Sequence, residues 1–247
     1  MKVKSILVSQ PQPKPEASPY VKLEKSNIKI DFRPFIHVEG VDAKDIRKQK
    51  IDFSQYTSVI LTSRNAVDHF FRLADETRFK VPDTMKYFCV SENIANYLQN
   101  YIVYRKRKIY VGEKHISDLT SSFKKHKEET FLLPTSDILS GDIPKVLNDL
   151  KLNWTRAIMY RTVSSDLSDL NNVKYDILVF FSPLGIKSLF ENFPKFKQDK
   201  TRIATFGKST VEAATQAGLK VDIQVPAPGI PSMSMALEEY IKSANKK

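Results

Sequence analysis

Residues 59–71 read VILTSRNAVDHFF: an apolar run, two small hydroxyls at Thr62 and Ser63, then apolar residues at helical spacing. A similar stretch, LVFFSPLGIKSLF, returns at 178–190, and the two align without a gap from Val59/Leu178 to Phe71/Phe190. Ser63 then stands opposite Ser182, 119 residues on. A serine at a strand-to-helix junction has one role that needs no ligand. Its hydroxyl accepts a hydrogen bond from an orphaned backbone N–H and stabilises the helix by about 0.5–2 kcal/mol. The next junction repeats as well: CVSENIANYL resembles TFGKSTVEAA, with Ser91 opposite Gly207 at an offset of 116. A third pair, IKIDFRPFIHVEGVD and LNWTRAIMYRTVSSD, is extended in pattern, and each member follows a helical segment. Similarity at a domain-sized offset indicates duplication of one unit.

The class follows from the alternation around these junctions. Apolar β-rich runs at 6–11 (ILVSQP), 58–63 (SVILTS), 86–91 (KYFCVS), 130–136 (TFLLPTS), 176–182 (DILVFFS) and 202–207 (RIATFG) each precede a helical pattern. Strands that are apolar throughout belong to parallel sheets covered on both faces. The expected fold is α/β, two similar three-layer domains joined by a two-stranded extended connector. The extended pair RPFIHV and AIMYRTV, where the chain enters and leaves its central half, sets the boundaries. One domain combines 1–35 with 164–247, and 36–163, connector strands included, is inserted as the other. Ligands bind such sheets at the carboxyl ends of the strands, so the cleft between domains is the expected site.

A chain of 247 residues with 41% hydrophobic content supports packed cores. Thirty-nine basic against 28 acidic residues give a formal charge of +11, which points to an anionic partner. Nucleic acid is disfavoured, because the lysines and arginines are scattered and neither zinc-finger spacing nor an RNP-like aromatic motif is present. A small polycarboxylate or polyphosphate fits the same charge. No apolar stretch reaches the roughly 20 residues of a membrane-spanning helix, and MKVKSILVSQPQPKP does not make a secretory signal. The expected compartment is the cytoplasm, consistent with a single cysteine, Cys89, set in the core-like run YFCV.

Candidate chemistry is sparse. FGKST at 206–210 ends like a phosphate-binding loop, but Arg202 stands where that motif needs its first glycine. A glycine followed by Lys208, Ser209 and Thr210 at a helix mouth is what remains, a place suited either to an anion or to capping. His37, His69, His115 and His126 lack paired ligand spacing, so no metal site is expected, and packing suffices to explain His69. Glu128 and Glu129, in KKHKEE, read as a solvated charged face. Tyr160, in AIMYRTV, fits an extended segment on propensity alone. If that segment borders the site, a phenol with an ordinary pKa near 10 donates a hydrogen bond at neutral pH without carrying charge.

Taken together, ILTSRNAV, FLLPTS, DIPKVLNDLKLNWTRAIMYRTV, VFFSPLGIKSL, IATFGKSTVEAATQAGLKV and VPAPGIPSMSMALEEYI resemble, in order and spacing, the uroporphyrinogen-III synthase family. The resemblance implies two α/β domains on a two-stranded connector. It also implies cyclisation of hydroxymethylbilane with loss of water and inversion of the last ring, with no cofactor or metal needed; a monomer is expected. The family's connector tyrosine matches Tyr160, which would assist departure of the hydroxyl. Its carboxylate-holding positions match Ser63, Ser182, Lys208, Ser209 and Thr210, with Arg64 adding a charged contact, and Thr62 and Ser91 are further substrate-binding candidates. Two positions depart from the pattern: Gln10 replaces the arginine that many relatives carry before the first proline, and the usual Gly-x-x-Thr reads Ser91, Glu92, Asn93, Ile94. These departures sustain one alternative, a non-catalytic two-lobed protein that binds a polyanion or tetrapyrrole.

Overall fold

The computed structural model describes residues 2–139, 141–170 and 173–246. The chain separates into two compact units, Met1–His37 with Val163–Lys247, and Val38–Thr162. The second unit holds the opening motif. Strand β4 (Ser58–Leu61) is buried along its whole length. Val59 and Leu61 pack on one face of the sheet with Ala66, Val67, Phe70 and Leu73, whereas Ile60 packs on the other with Phe88, Phe123 and Phe131. That double burial is why the run is continuously apolar rather than alternating.

The other elements of this unit repeat the pattern. Helix α3 (Arg64–Glu76) buries Ala66, Val67, Phe70, Leu73 and Ala74, one stripe at helical spacing. It leads to β5 (Lys86–Cys89), α4 (Glu92–Leu98), β6 (Ile109–Val111), α5 (Thr120–Lys125), β7 (Thr130–Ser136), α6 (Asp142–Asp149) and β8 (Asn153–Ser164). Before β4 come β3 (Ile36–Gly40) and α2 (Ala43–Lys48). The sheet order is β3-β8-β7-β4-β5-β6, parallel at every pairing from β8 to β6. The extended pair RPFIHV and AIMYRTV is β3 with β8. Val41 N donates to Met159 O at 3.0 Å and Ser165 N to Phe35 O at 2.9 Å, so residue numbers rise on one segment as they fall on the other.

The first unit has a five-stranded sheet ordered β11-β10-β9-β1-β2, parallel throughout. Its elements are β1 (Ser5–Val8), α1 (Val21–Glu24), β2 (Lys29–Phe32), β9 (Ile177–Phe180), α7 (Pro183–Asn192), β10 (Arg202–Phe206), α8 (Lys208–Gln216), β11 (Val221–Val225) and α9 (Met233–Lys246). Alternate residues again face opposite cores. Ile6, Val8, Ile177 and Val179 meet α9 through Met233, Ala236 and Leu237, while Leu7, Leu178 and Phe180 meet α7 through Ile186 and Leu189.

The two sheets differ by a circular permutation. β4, β5, β6, β7 and β8 follow one another along the chain, and their counterparts are β9, β10, β11, β1 and β2, with the chain termini falling between β11 and β1. The repeated stretches at 59 and 178 are therefore the same strand–helix step in both sheets. In each sheet this step starts where the winding direction reverses, between β4 and β7 and between β9 and β1. Carboxyl ends of strands at a reversal point leave a crevice that helices do not cover.

Candidate functional site

In the Val38–Thr162 unit the crevice is built on Ser63. Its backbone is extended, φ −157° and ψ 165°, and its hydroxyl accepts from Ala66 N, an orphaned donor of the first turn of α3, at 3.0 Å. The same oxygen lies 3.0 Å from the Tyr160 hydroxyl. Tyr160 comes from β8, is 7% exposed and belongs to the core cluster under α3. Ser63 has one hydroxyl proton, and with Ala66 N–H donated to its oxygen that proton is available to the phenol oxygen. In that arrangement the phenol proton is not taken up by Ser63. Burial pushes the Tyr160 phenol above its ordinary value, and the Ser63 bond offsets only part of that, so the group stays protonated at neutral pH.

His69, one turn along α3, closes the back of this arrangement. Its ring stacks on Tyr160 with centroids 5.1 Å apart and planes 18° from parallel. Arg72 Nε donates to His69 Nδ1 at 3.2 Å, Arg72 Nη2 donates to Val41 O at 2.6 Å, and Arg72 also pairs with Glu76. Gly40 makes room for both side chains. A Cβ there would lie 2.7 Å from Arg72 Nη2 and 2.9 Å from the imidazole, distances that side chains do not adopt. Sequence reading assigned His69 to packing and did not connect it with Tyr160.

The remaining candidates in this unit occupy separate surroundings. Thr62 borders a cavity of about 490 Å³ with His115, Ser117, Asp142 and Lys145. Arg64 is exposed, its guanidinium 5.2 Å over the Tyr97 ring, while Tyr97 and Tyr101 both donate to Asp68 at 2.8 and 2.6 Å. Ser91 precedes α4 in an extended conformation, but its hydroxyl makes no capping bond. Ile94, where the family pattern has a hydroxyl, is 7% exposed and packs in the core. Glu129 is a correction to the solvated face expected of KKHKEE. Its side chain is 16% exposed, paired with Lys86 and bonded by the Ser58 hydroxyl at 3.2 Å. Burial alone would raise its pKa, and Lys86 with the neighbouring hydroxyls brings it below the usual range.

In the other unit Ser182 repeats the geometry of Ser63, with φ −154°, ψ 154° and the hydroxyl accepting from Gly185 N at 3.2 Å. Ser9, which sequence reading passed over, follows β1 beside it: a Cβ on Gly185 would sit 3.6 Å from Ser182 Oγ and 3.8 Å from Ser9 Oγ. Replacing Ser182 with Ala removes this cap and is expected to cost about 1 kcal/mol of stability, measured as a lower urea midpoint by far-ultraviolet circular dichroism. An unchanged midpoint would assign the start of α7 to Pro183 and packing alone. At α8 the cap is Gly207, at φ +87°, with no side-chain bond, so neither Ser209 nor Thr210 caps. Lys208 and Ser209 are exposed there, whereas Thr210 is 1% exposed and its N–H donates to Gly207 O. Gln10 is exposed.

Among the described residues no group of three or more His, Cys, Asp or Glu is placed to hold a metal ion, and no helix is long and apolar enough to cross a membrane. Cys89 is buried in the core, its thiol pushed up to about 12 by burial.

Solved structures share this architecture. A uroporphyrinogen-III synthetase from Helicobacter pylori superposes with a TM-score of 0.59 at 15% identity, covering 97% of this chain and 99% of its own. A mutant uroporphyrinogen III synthase from the extreme thermophile Thermus thermophilus gives 0.51 at 12% identity, covering 99% of this chain and 100% of its own. At such identities the likeness speaks for the fold alone. A comparison with curated protein sequences finds no match. The sequence model described as uroporphyrinogen-III synthase HemD matches residues 19–234, most of the chain. With that match over both junction motifs and β8, the chain belongs to the uroporphyrinogen-III synthase family.

Proposed function

We propose that this protein is a cyclising lyase that converts hydroxymethylbilane to uroporphyrinogen III, with loss of one water and inversion of the last ring, in tetrapyrrole biosynthesis. The observation that carries the reading is the 3.0 Å contact between Ser63 Oγ and the buried Tyr160 hydroxyl, at the first turn of α3. The reaction needs a proton for a hydroxyl that leaves from an electron-rich pyrrole-bound carbon. A neutral acid next to that hydroxyl lets it depart as water. In the proposed sequence Ala66 N–H donates to Ser63 Oγ, Ser63 donates to Tyr160 Oη, and Tyr160 gives its proton to the departing group. The tyrosinate left behind is stabilised by the same serine and by the positive end of α3. The C–O bond breaks to give an azafulvenium cation, and the substituted α-carbon of the last ring bonds to it in a spiro intermediate. That carbon's bond to its original methylene breaks, the freed methylene bonds the ring's unsubstituted α-carbon, and the proton lost from that carbon on restoring the aromatic pyrrole returns to Tyr160.

The substrate carries eight carboxylates, which gives the +11 chain a reason. Thr62, Ser91, Ser182, Lys208 and Ser209, at the mouths of helices, are proposed to hold acetate and propionate groups, with Arg64 as a charged contact; Ser63, engaged by Ala66 N–H and Tyr160, and Thr210, buried, are not available for that role. At α8 the exposed groups available for this are Lys208 and Ser209. Free bilane closes on its own to the uninverted isomer, so a large part of the task is to hold ring ends in the inverting geometry.

Freshly prepared hydroxymethylbilane incubated with the purified protein should yield isomer III in large excess over isomer I, resolved by chromatography after oxidation to porphyrins. An isomer ratio equal to that without protein would sink the reading and favour the non-catalytic polyanion binder.

A further inference from the structure

The pair His69–Arg72 lies outside the relay from α3 to the phenol, yet it touches that relay at one place. The imidazole covers the face of the Tyr160 ring, 5.1 Å between centroids, and Arg72 ties the imidazole to the Val41 carbonyl at the end of β3. Core packing holds the body of the Tyr160 ring, and the aim of its hydroxyl is set by what meets its tip and its face. Here the ring is held between a hydroxyl at its tip and a flat ring on its face. We infer that His69 and Arg72 are positioning residues for Tyr160, and that the neutral imidazole is the form that holds the phenol in place.

The tautomer follows from the donor. Arg72 Nε–H points at Nδ1, so Nδ1 carries the lone pair and the single ring proton sits on Nε2. Protonation would put an N–H at Nδ1 facing the guanidinium N–H, donor against donor and cation against cation, and the tie through Arg72 to Val41 would be lost. The charges around His69 are Arg72, Asp68 and Glu76 on its own helix; β8 contributes the Tyr160 phenol and the β3 end contributes Gly40 and the Val41 carbonyl. Burial, then Arg72, hold the imidazole below its usual value, against a smaller opposite pull from Asp68 and Glu76. The positioning form is therefore complete at neutral pH and is lost only on acidification to below the ordinary imidazole value of about 6.5.

This inference rests on Tyr160 acting as the proton donor, and the test separates the two. Steady-state formation of isomer III is measured for wild type, His69→Ala, His69→Phe and Gly40→Ala, with thermal melting of each to confirm folding. Loss of the stacked ring in His69→Ala should lower kcat about 10- to 100-fold with KM little changed, because a misplaced donor fails in the transition state and not in substrate binding. His69→Phe keeps a flat ring over Tyr160 but offers Arg72 no acceptor and cannot titrate, so it should recover part of the rate lost in His69→Ala and lose the acid limb of the wild-type pH profile. Gly40→Ala displaces both side chains from the end of β3 and should give the same kcat-selective loss. Wild-type kcat in His69→Ala and Gly40→Ala, or an acid limb that persists unmoved in His69→Phe, overturns the inference while leaving the synthase reading intact. Absence of isomer III from wild type itself would instead overturn that reading. If His69→Ala does not fold, Gly40→Ala and His69→Phe carry the decision.

Discussion

Tyr160→Phe is expected to lower kcat for isomer III formation by about 100-fold, at the low end of what a positioned general acid contributes. The substitution is narrow. The phenylalanine ring keeps its stack on His69 and its place in the core, and Ser63 keeps its bond from Ala66 N, so only the hydroxyl at 3.0 Å is gone. Removing one hydrogen bond of this kind costs about 1 kcal/mol of stability, too little to unfold a domain. Binding of the uroporphyrinogen III product, which has no departing hydroxyl, should be retained. The pH profile carries a second signature. Because burial raises the Tyr160 pKa, the alkaline fall in wild-type rate should lie above the ordinary phenol value of about 10 and should vanish in the Phe variant. A Phe variant that turns over at the wild-type rate would remove Tyr160 from the chemistry and leave shape control as the whole of catalysis.

What could be read from sequence was what local chemistry dictates. β4 and β9 announce themselves because burial on both faces demands unbroken apolar runs, and Ser63 and Ser182 because an exposed first turn demands a cap. β6 escaped notice: it is three residues long, in the polar run KRKIYVGEK, and is a strand because β5 pairs with it. β11 reads VDIQV, the alternation of a sheet-edge strand, and gives a weak signal by itself. Glu129 looked solvated because its partners, Lys86 and Ser58, arrive from strands 43 and 71 residues away in sequence. The same limit hid the back of the site. His69 meets Tyr160, and Arg72 meets Val41, only after the sheet has formed. Pattern reading finds what each residue needs from its neighbours in the chain, and a stacked pair 91 positions apart is not among those needs.

The structural prediction with the largest effect concerns Phe88. It sits in mid-β5, fully buried, on the face of the sheet away from Tyr160. Its ring stacks on Tyr110 at 4.7 Å and Phe123 at 5.0 Å and meets Phe131 edge-on at 5.2 Å and His126 at 5.9 Å. Among the described residues no other side chain in this cluster joins so many rings, so neighbours cannot relax inward without breaking their own contacts. Phe88→Ala is therefore expected to cost about 3–5 kcal/mol, a large part of the 5–15 kcal/mol that holds a typical domain together. The protein carries its own reporter for this unit. Trp154, its only tryptophan, packs against the same cluster from β8 and donates its indole N–H to Asn148 at 2.9 Å. Urea titration followed by tryptophan fluorescence should show the midpoint falling sharply at an unchanged m-value, since the surface exposed on unfolding is nearly the same. A midpoint shift worth less than about 1 kcal/mol would mean that the cavity collapses, and that the aromatic cluster is a loose filling instead of the interlocked layer that supports β4 and the helix start it carries.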